Sequence, residues 1–350
     1  MINNYTSLGR EGFWEEKLSY RGQHYNVWRH MPRIDDLLMN TVFYVYPTAE
    51  DAEIGSEFGG TGFFLMIPLD GYDHFGFIYA ISNVHVIFGI KSENIYLRIN
   101  TQDEKFDIIE TKKSDWVRHP DGDDIAVCNI KFKKDFHKEG YFSRTHFITK
   151  KFIDENNVGV GDEIIMIGRF RVHAGKNKNL PVAMFGCISQ MPKETLHNPF
   201  TKCNQESFLV EMKSIKGFSG SPVIVYIPAF SNRFDGSTLV RTRWEQRLLG
   251  IDWGQIQYET IAVDEHGQNY KLKIDSAIAG VVPAWKILDI IDSKEFVEMR
   301  KKEKELYEKE IEDSEIMLTS ETKDDEVLTK ERFENILKKV SRIDNKEDKK

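Results

Sequence analysis

Cysteine is scarce in this chain of 350 residues, which has only Cys128, Cys187 and Cys203. The number is odd and no pair stands at a C-x-x-C spacing, so the sequence offers neither a disulfide framework nor a zinc-thiolate site. That suits a reducing compartment. Cys128 and Cys187 lie in apolar runs and are expected to be small core residues. Long hydrophobic runs are missing too: nothing approaches the roughly 18 apolar residues of a membrane-spanning helix, and Met1 to Trp14 holds no apolar core of about 7–15 residues behind a positive segment. A cytoplasmic location is the expectation. An excess of positive charge is also absent, since 48 Lys and Arg face 56 Asp and Glu for a net charge of −8. Neither a nucleic acid nor an anionic membrane is therefore expected as the main partner. The ten histidines show no ligand spacing such as H-E-x-x-H, so no metal and no other cofactor is expected.

What the chain does hold is enough apolar material for a large core, with 40% hydrophobic and 12% aromatic residues. From Thr41 onward it divides into short apolar runs separated by Gly, Pro, Asp and Asn. Val42 to Tyr46 stops at Pro47, Gly62 to Ile67 stops at Pro68, and runs near Gly76–Val86, Ile95–Ile99 and Asp124–Ile130 follow. A second set comprises Glu163–Gly168, Val182–Ile188, Ser207–Met212, Val223–Tyr226, Leu248–Gly254 and Ala277–Pro283. This pattern predicts an all-β protein, either antiparallel barrel or sandwich.

Three places in these runs carry chemistry. Lys216-Gly217-Phe218-Ser219-Gly220-Ser221-Pro222 sets a serine hydroxyl on a tight bend, where glycines that tolerate positive φ let backbone N–H groups converge beside the oxygen. Such a turn serves an acyl-transfer nucleophile, and it also spells an ordinary turn before a strand. The run Gly76–Val86 reads as a strand ending at His85, and Asp123-Asp124 stands at the entrance of another. Taken singly, His85 suits a satisfied core histidine and Asp124 a turn residue. Together they stand in the order His, Asp, Ser, at separations of 39 and 95 residues.

That order, with the words Asn83-Val84-His85, Asp124-Ile125-Ala126-Val127 and Gly217-Phe218-Ser219-Gly220, resembles the trypsin-like, chymotrypsin-fold serine peptidases. Gly59-Gly60-Thr61-Gly62-Phe63 resembles the word preceding the histidine strand in that family. The nearest resemblance is to the bacterial high-temperature-requirement type. It spans about residues 40–292 and implies two six-stranded antiparallel Greek-key barrels with the active site between them. It further implies that Ser219 attacks a peptide carbonyl, that His85 is the general base and acid, and that Asp124 orients His85, with Asp123 as the fallback. Gly217 and Ser219 N–H groups would form an oxyanion hole. Lys213, Asp252, Trp253 and Gly254 would bind substrate, Lys213 suggesting an acidic residue before the scissile bond.

The chain also departs from the family. Phe218 replaces the aspartate that pairs with a freshly cut N-terminus in zymogen-activated trypsins, so that route of activation is not expected. Val84 stands for the usual alanine and Ser221 for the second glycine. The tail is too short and too charged for the peptide-binding PDZ domain common in the high-temperature-requirement type.

The expected organisation is an N-terminal arm over residues 1–38, a peptidase domain over 39–292 (barrels about 39–135 and 145–292), and a charged helical or partly disordered tail over 293–350. Pro228–Gln246 and Gln255–Lys273 read as long insertions lining the cleft or simply tolerated by it. The tail pairs Glu298 with Lys302 and Glu305 with Lys309 at helical spacing. Its stripe Phe333, Ile336, Leu337, Val340 suits a helix folded on the barrel or a docking helix for a partner. The function expected is an intracellular serine endopeptidase acting on a protein or peptide and restrained by conformation or by a regulatory partner. The competing expectation is an inactive trypsin-fold module that binds peptides or proteins. Esterase or acyl-transfer activity at the same site is a third.

Overall fold

The computed structural model describes residues 3–8, 14–20, 23–27, 33–56, 59–69, 72–133, 135–212, 217–228, 230–232, 238–240, 245–263 and 267–321. Two antiparallel β units follow one another along the chain. The first is a seven-stranded sheet in the order Phe106–Lys112, Asn94–Asn100, Val42–Tyr46, Gly60–Leu69, Tyr72–Ser82, Ala126–Ile130, Trp116–Arg118. It has one strand more than expected, because the three-residue strand Trp116–Arg118 pairs outside Ala126–Ile130. The second unit is a closed six-stranded barrel running Glu163–Gly168, Val182–Gln190, Phe208–Glu211, Asn269–Pro283, Glu245–Val263, Pro222–Ile227 and back to the first. The second unit is closed, while the first is an open seven-stranded sheet; the pair of antiparallel units is consistent with a two-barrel, chymotrypsin-like fold.

All five residues of Val42–Tyr46 are buried because both faces of the strand are covered. Phe43 and Val45 face one apolar cluster, while Tyr44 and Tyr46 join another on the opposite side, as the two-residue period of a strand requires. Gly62 leaves room for the Phe43 ring, which a Cβ there would meet at 2.2 Å. The two units share one core. Phe63, Leu65, Ile81 and Val127 of the first pack in the same cluster as Ile165, Phe208, Phe218 and Leu248 of the second. Each such side chain contributes about 1.5–3 kcal/mol on burial, so the seam between the units is fixed by apolar packing.

Helix Ala284–Ile291 closes the barrel, burying Ala284, Ile287, Ile290 and Ile291 on one helical face. A longer helix, Lys294–Glu321, begins by turning back on the first unit. Phe296 is buried with its ring 5.3 Å from that of Tyr79, and Arg300 donates to the Tyr79 hydroxyl at 3.1 Å. The stripe Phe333, Ile336, Leu337 and Val340 lies outside the described residues, as do Arg233, Arg241, Arg243 and Trp244 of the Pro228–Gln246 insertion. In the N-terminal region a separate sheet pairs Asn3–Leu8, Trp14–Tyr20 and Gln23–Val27. The segment Gln255–Lys273, read from sequence as a loop, is instead a paired ribbon. Strands Glu245–Val263 and Asn269–Pro283 pair out to Val263 opposite Asn269, with bulges between Asp252 and Gly254 and between Gln255 and Gln257. Among the described residues no helix is long and apolar enough to cross a membrane.

Candidate active site

His85 lies in the short helix Val84–Gly89, immediately after the Tyr72–Ser82 strand. The apolar run through His85 therefore breaks at Asn83, whose side chain donates to the Asp124 carbonyl at 2.7 Å instead of continuing a ladder. The same fold-back lets the His85 backbone N–H donate to Asp124 Oδ1 at 3.0 Å while Nδ1 meets Oδ2 at 2.6 Å. Asp124 is fully buried. It is further anchored by Asn198 Nδ2 donating to Oδ2 at 3.2 Å and by its own N–H donating to Gln205 Oε1 at 2.9 Å. A carboxylate accepts only, and the three donors converging on it fix it in place. Nδ1 of His85 then carries the proton and leaves the Nε2 lone pair available.

Asp123 is turned elsewhere. It meets His119 at 3.4 Å and Lys286 at 3.2 Å, tying the loop to the closing helix. The geometry thus separates the two adjacent carboxylates that the sequence left as first choice and fallback.

Ser219 sits on a bend with Gly217 at φ +108° and Gly220 at φ +90°. Thr61 clamps this bend onto the first unit. Its hydroxyl donates to the Gly217 carbonyl at 2.7 Å, and its backbone N–H donates to the Ser219 carbonyl at 2.9 Å. Ser82 in turn donates to the Thr61 carbonyl at 2.7 Å. On the other side Gly220 N–H donates to the Asp252 carbonyl and Asp252 N–H to the Ser221 carbonyl, each at 2.9 Å. Phe218 is fully buried in the shared core, which anchors the turn from beneath. Among the described residues, neither Gly217 N–H nor Ser219 N–H donates to a protein group, and Ser219 Oγ has no hydrogen bond to His85.

Sequence reasoning missed Phe200, Asn198, Gln205 and the clamping role of Thr61. Phe200, 52% exposed, stacks on the His85 ring with centroids 4.3 Å apart and planes 16° from parallel. It lies at the turn between Thr195–Asn198 and Cys203–Glu206, which Asn198 ties to Asp124. A Cβ placed on Gly254 would stand 3.5 Å from Phe200 and 3.8 Å from Ser219 Oγ, so these three residues border the same space.

The residues assigned to substrate binding differ in their placement. Lys213 lies outside the described residues. The Asp252 and Trp253 side chains are buried, and Trp253 donates to Ser207 Oγ at 3.2 Å with its ring flat against Gly280. Among the described ones, Gly254 borders the cleft. A cavity of about 350 Å³ elsewhere, lined by Leu38, Thr41, Glu139, Ile224 and Leu248, includes none of the three candidate catalytic residues. Among the described residues no cluster of His, Cys, Asp or Glu is placed to hold a metal.

Burial pushes the Asp252 carboxyl up to about 7 from an ordinary 3.8, the Asp124 charge adds to the rise, and the Gly254 N–H at 3.3 Å opposes it. Its Oδ2 has no hydrogen-bond partner among the described residues. The folded state therefore holds this proton more tightly than the unfolded chain. Its stabilising effect is complete below about pH 4 and is lost as pH rises through about 7. Asp252→Asn removes the titration. Relative to wild type, the variant should gain about 2–3 kcal/mol of unfolding free energy between pH 5 and pH 8, measured by denaturant titration at both. A constant difference across that range would contradict the assignment.

Neither a protein-family model nor a curated protein matches the sequence. Among solved structures, the chain is similar to the Rv3671c protease in an inactive form, at 13% identity over 73% of this chain and 89% of that one, with a TM-score of 0.40. A second is the inactive Ser343Ala form of Rv3671c from M. tuberculosis H37Rv, at 14% identity over 72% and 85%, with a TM-score of 0.38.

Proposed function

We propose that this chain is a serine endopeptidase working through Ser219, His85 and Asp124. The observation that carries the reading is the 2.6 Å contact of His85 Nδ1 with a buried Asp124, on the edge to which Thr61 fastens the Ser219 turn. His85 Nε2 takes the hydroxyl proton as Ser219 Oγ attacks the carbonyl carbon. The developing oxyanion is received by the N–H groups of Gly217 and Ser219, where one donor is typically worth about 10²–10³ in rate. Collapse breaks the C–N bond, His85 returns the proton to the amine, and the acyl group stays on Ser219. Water activated by His85 then hydrolyses the ester. The short words around Thr61, Asp124 and Ser219 favour the high-temperature-requirement type within this fold. Three cysteines without disulfide bonds favour a reducing, cytoplasmic setting.

The resting site supports restraint. Phe200 covers one face of His85, so a substrate or a regulatory partner must shift it before a peptide lies against the imidazole. The same contact favours the second reading, a latent or inactive module that binds peptides without cutting them. Cleavage of an unfolded polypeptide, followed by mass spectrometry, separates the two. The peptidase reading expects discrete fragments from wild type and none from Ser219→Ala or His85→Ala. Unchanged fragments from Ser219→Ala would contradict it, and substrate bound but uncut by wild type would favour the second.

A further inference from the structure

The strand Glu245–Val263 is 19 residues long, yet the barrel uses only its first part. Its pairing with Pro222–Ile227 ends at Ile251, whereas its pairing with Asn269–Pro283 continues to Val263. From Gly254 onward one edge of the strand therefore has no strand against it among the described residues. That edge starts at the reaction centre, since a Cβ on Gly254 would stand 3.8 Å from Ser219 Oγ.

The two edges of this arm are not alike. Natural sheets blunt free edges with lysine, proline or bulges, because an unblunted row of N–H and C=O groups recruits another chain. The outer part of the partner strand is guarded in this way by Lys271, Lys273 and Asp275. Bulges between Asp252 and Gly254 and between Gln255 and Gln257 interrupt the start of the other strand, but beyond them the stretch from Gln257 to Val263 has neither lysine nor proline, and Glu259 is its single charge. One face of the arm is apolar as well. Tyr258 lies opposite Ile274, Thr260 opposite Leu272, and Ala262 opposite Tyr270. Tyr258, Tyr270, Leu272 and Ile274 remain 52, 45, 46 and 39% exposed. A two-stranded ribbon is marginal in water and gains most from a third strand.

We propose that the edge from Gln257 to Val263, beyond the segment that borders Ser219, is a docking site for an extended polypeptide, which adds to the arm as a third strand and is led by it to Ser219. The occupant is an unfolded chain with apolar residues at alternate positions. Backbone hydrogen bonds supply the affinity and the apolar face selects every second side chain. A substrate is favoured over a second copy of this chain because the edge belongs to the same strand that borders Ser219 at Gly254. At about 3.3 Å per residue the edge reaches roughly 30 Å from the reacting atom. What happens at Ser219 rests on the peptidase reading, but the docking does not.

The test removes the arm by joining Gln257 to Asp275, which face each other in register and share a 2.8 Å hydrogen bond, through Asn-Gly, a two-residue hairpin turn. Binding of a fluorescein-labelled, 20-residue unfolded peptide with alternating apolar residues is followed by anisotropy in the Ser219→Ala background. The expected result is at least tenfold weaker binding without the arm. In the Ser219-containing protein, kcat/KM for the long peptide should fall at least tenfold through KM, while that for a five-residue peptide stays within about twofold. A full-length variant, Thr260→Lys with Ala262→Lys, should reproduce the loss and guards against misfolding of the shortened chain. Equal binding with and without the arm would overturn the proposal. So would equal losses on long and short peptides, or a wild-type dimer that becomes monomeric when the arm is removed. Arm-dependent binding without any cleavage would uphold the docking and sink the peptidase reading alone.

Discussion

Asp124→Asn is expected to lower kcat/KM for peptide hydrolysis by about 10³–10⁴-fold at neutral pH with little change in fold. Asp124 receives hydrogen bonds from His85 Nδ1, the His85 backbone N–H and Asn198 Nδ2. An amide has one acceptor oxygen and brings two donors of its own. If its NH₂ faces the imidazole, Nδ1 must accept, the proton moves to Nε2, and His85 can no longer take a proton from Ser219. Asp123→Asn, one residue away, should leave kcat/KM nearly unchanged and should instead loosen the contacts with His119 and Lys286. Steady-state kinetics of both variants, with thermal unfolding as the control, check the pair. Equal losses in the two would contradict the division of roles between these carboxylates.

Gly220→Ala should be the more damaging change to the fold. Gly220 sits at φ +90°, in backbone territory that costs a residue with a Cβ about 1–3 kcal/mol. Its Cβ would lie 1.9 Å from the Thr61 carbonyl oxygen and 2.7 Å from Ser82 Oγ. The first of these is backbone of the neighbouring unit and has no rotamer to escape through. With strain and overpacking together, we expect a loss of roughly 3–5 kcal/mol in unfolding free energy. The Ser219 turn would also be driven off Thr61, so activity should fall even where the protein stays folded. Chemical denaturation checks the first part, and a loss below about 1 kcal/mol would mean that the turn is not wedged against Thr61.

Much of this was legible because it is local. The short apolar runs between Gly, Pro and Asp signals gave the strands, and the words around His85, Asp124 and Ser219 named the candidate residues. The neighbours that decide how those residues behave come from far along the chain. Thr61 reaches Gly217 across 156 positions, Gln205 reaches Asp124 across 81, and Asn198 reaches it across 74. No periodicity reports such pairs, because each depends on how two sheets curl towards one another. His85 was misplaced at the end of a strand for a related reason. Val84, Val86, Ile87 and Phe88 favour extended backbone, but the hydrogen bonds of Asn83 and of the His85 N–H to Asp124 turn the segment into a helix. The arm beyond Gly254 is hard to read from sequence because a segment such as Gln255–Lys273 suits a paired ribbon as readily as a loop. The resemblance implies substrate binding by Asp252, yet its side chain is fully buried near Asp124, as Trp253 beside it is buried.

The central claim is that the fold presents Ser219 to His85 as an activated nucleophile. The most direct measurement is labelling of the full chain with a fluorophosphonate probe, with the adduct located by peptide mass spectrometry. The account predicts a single adduct on Ser219 that is lost in His85→Ala, although the hydroxyl is still present there. It also predicts faster labelling in Phe200→Ala, where the ring stacked on His85 is gone. No adduct on Ser219 in wild type and in Phe200→Ala alike, with the protein folded, would contradict it.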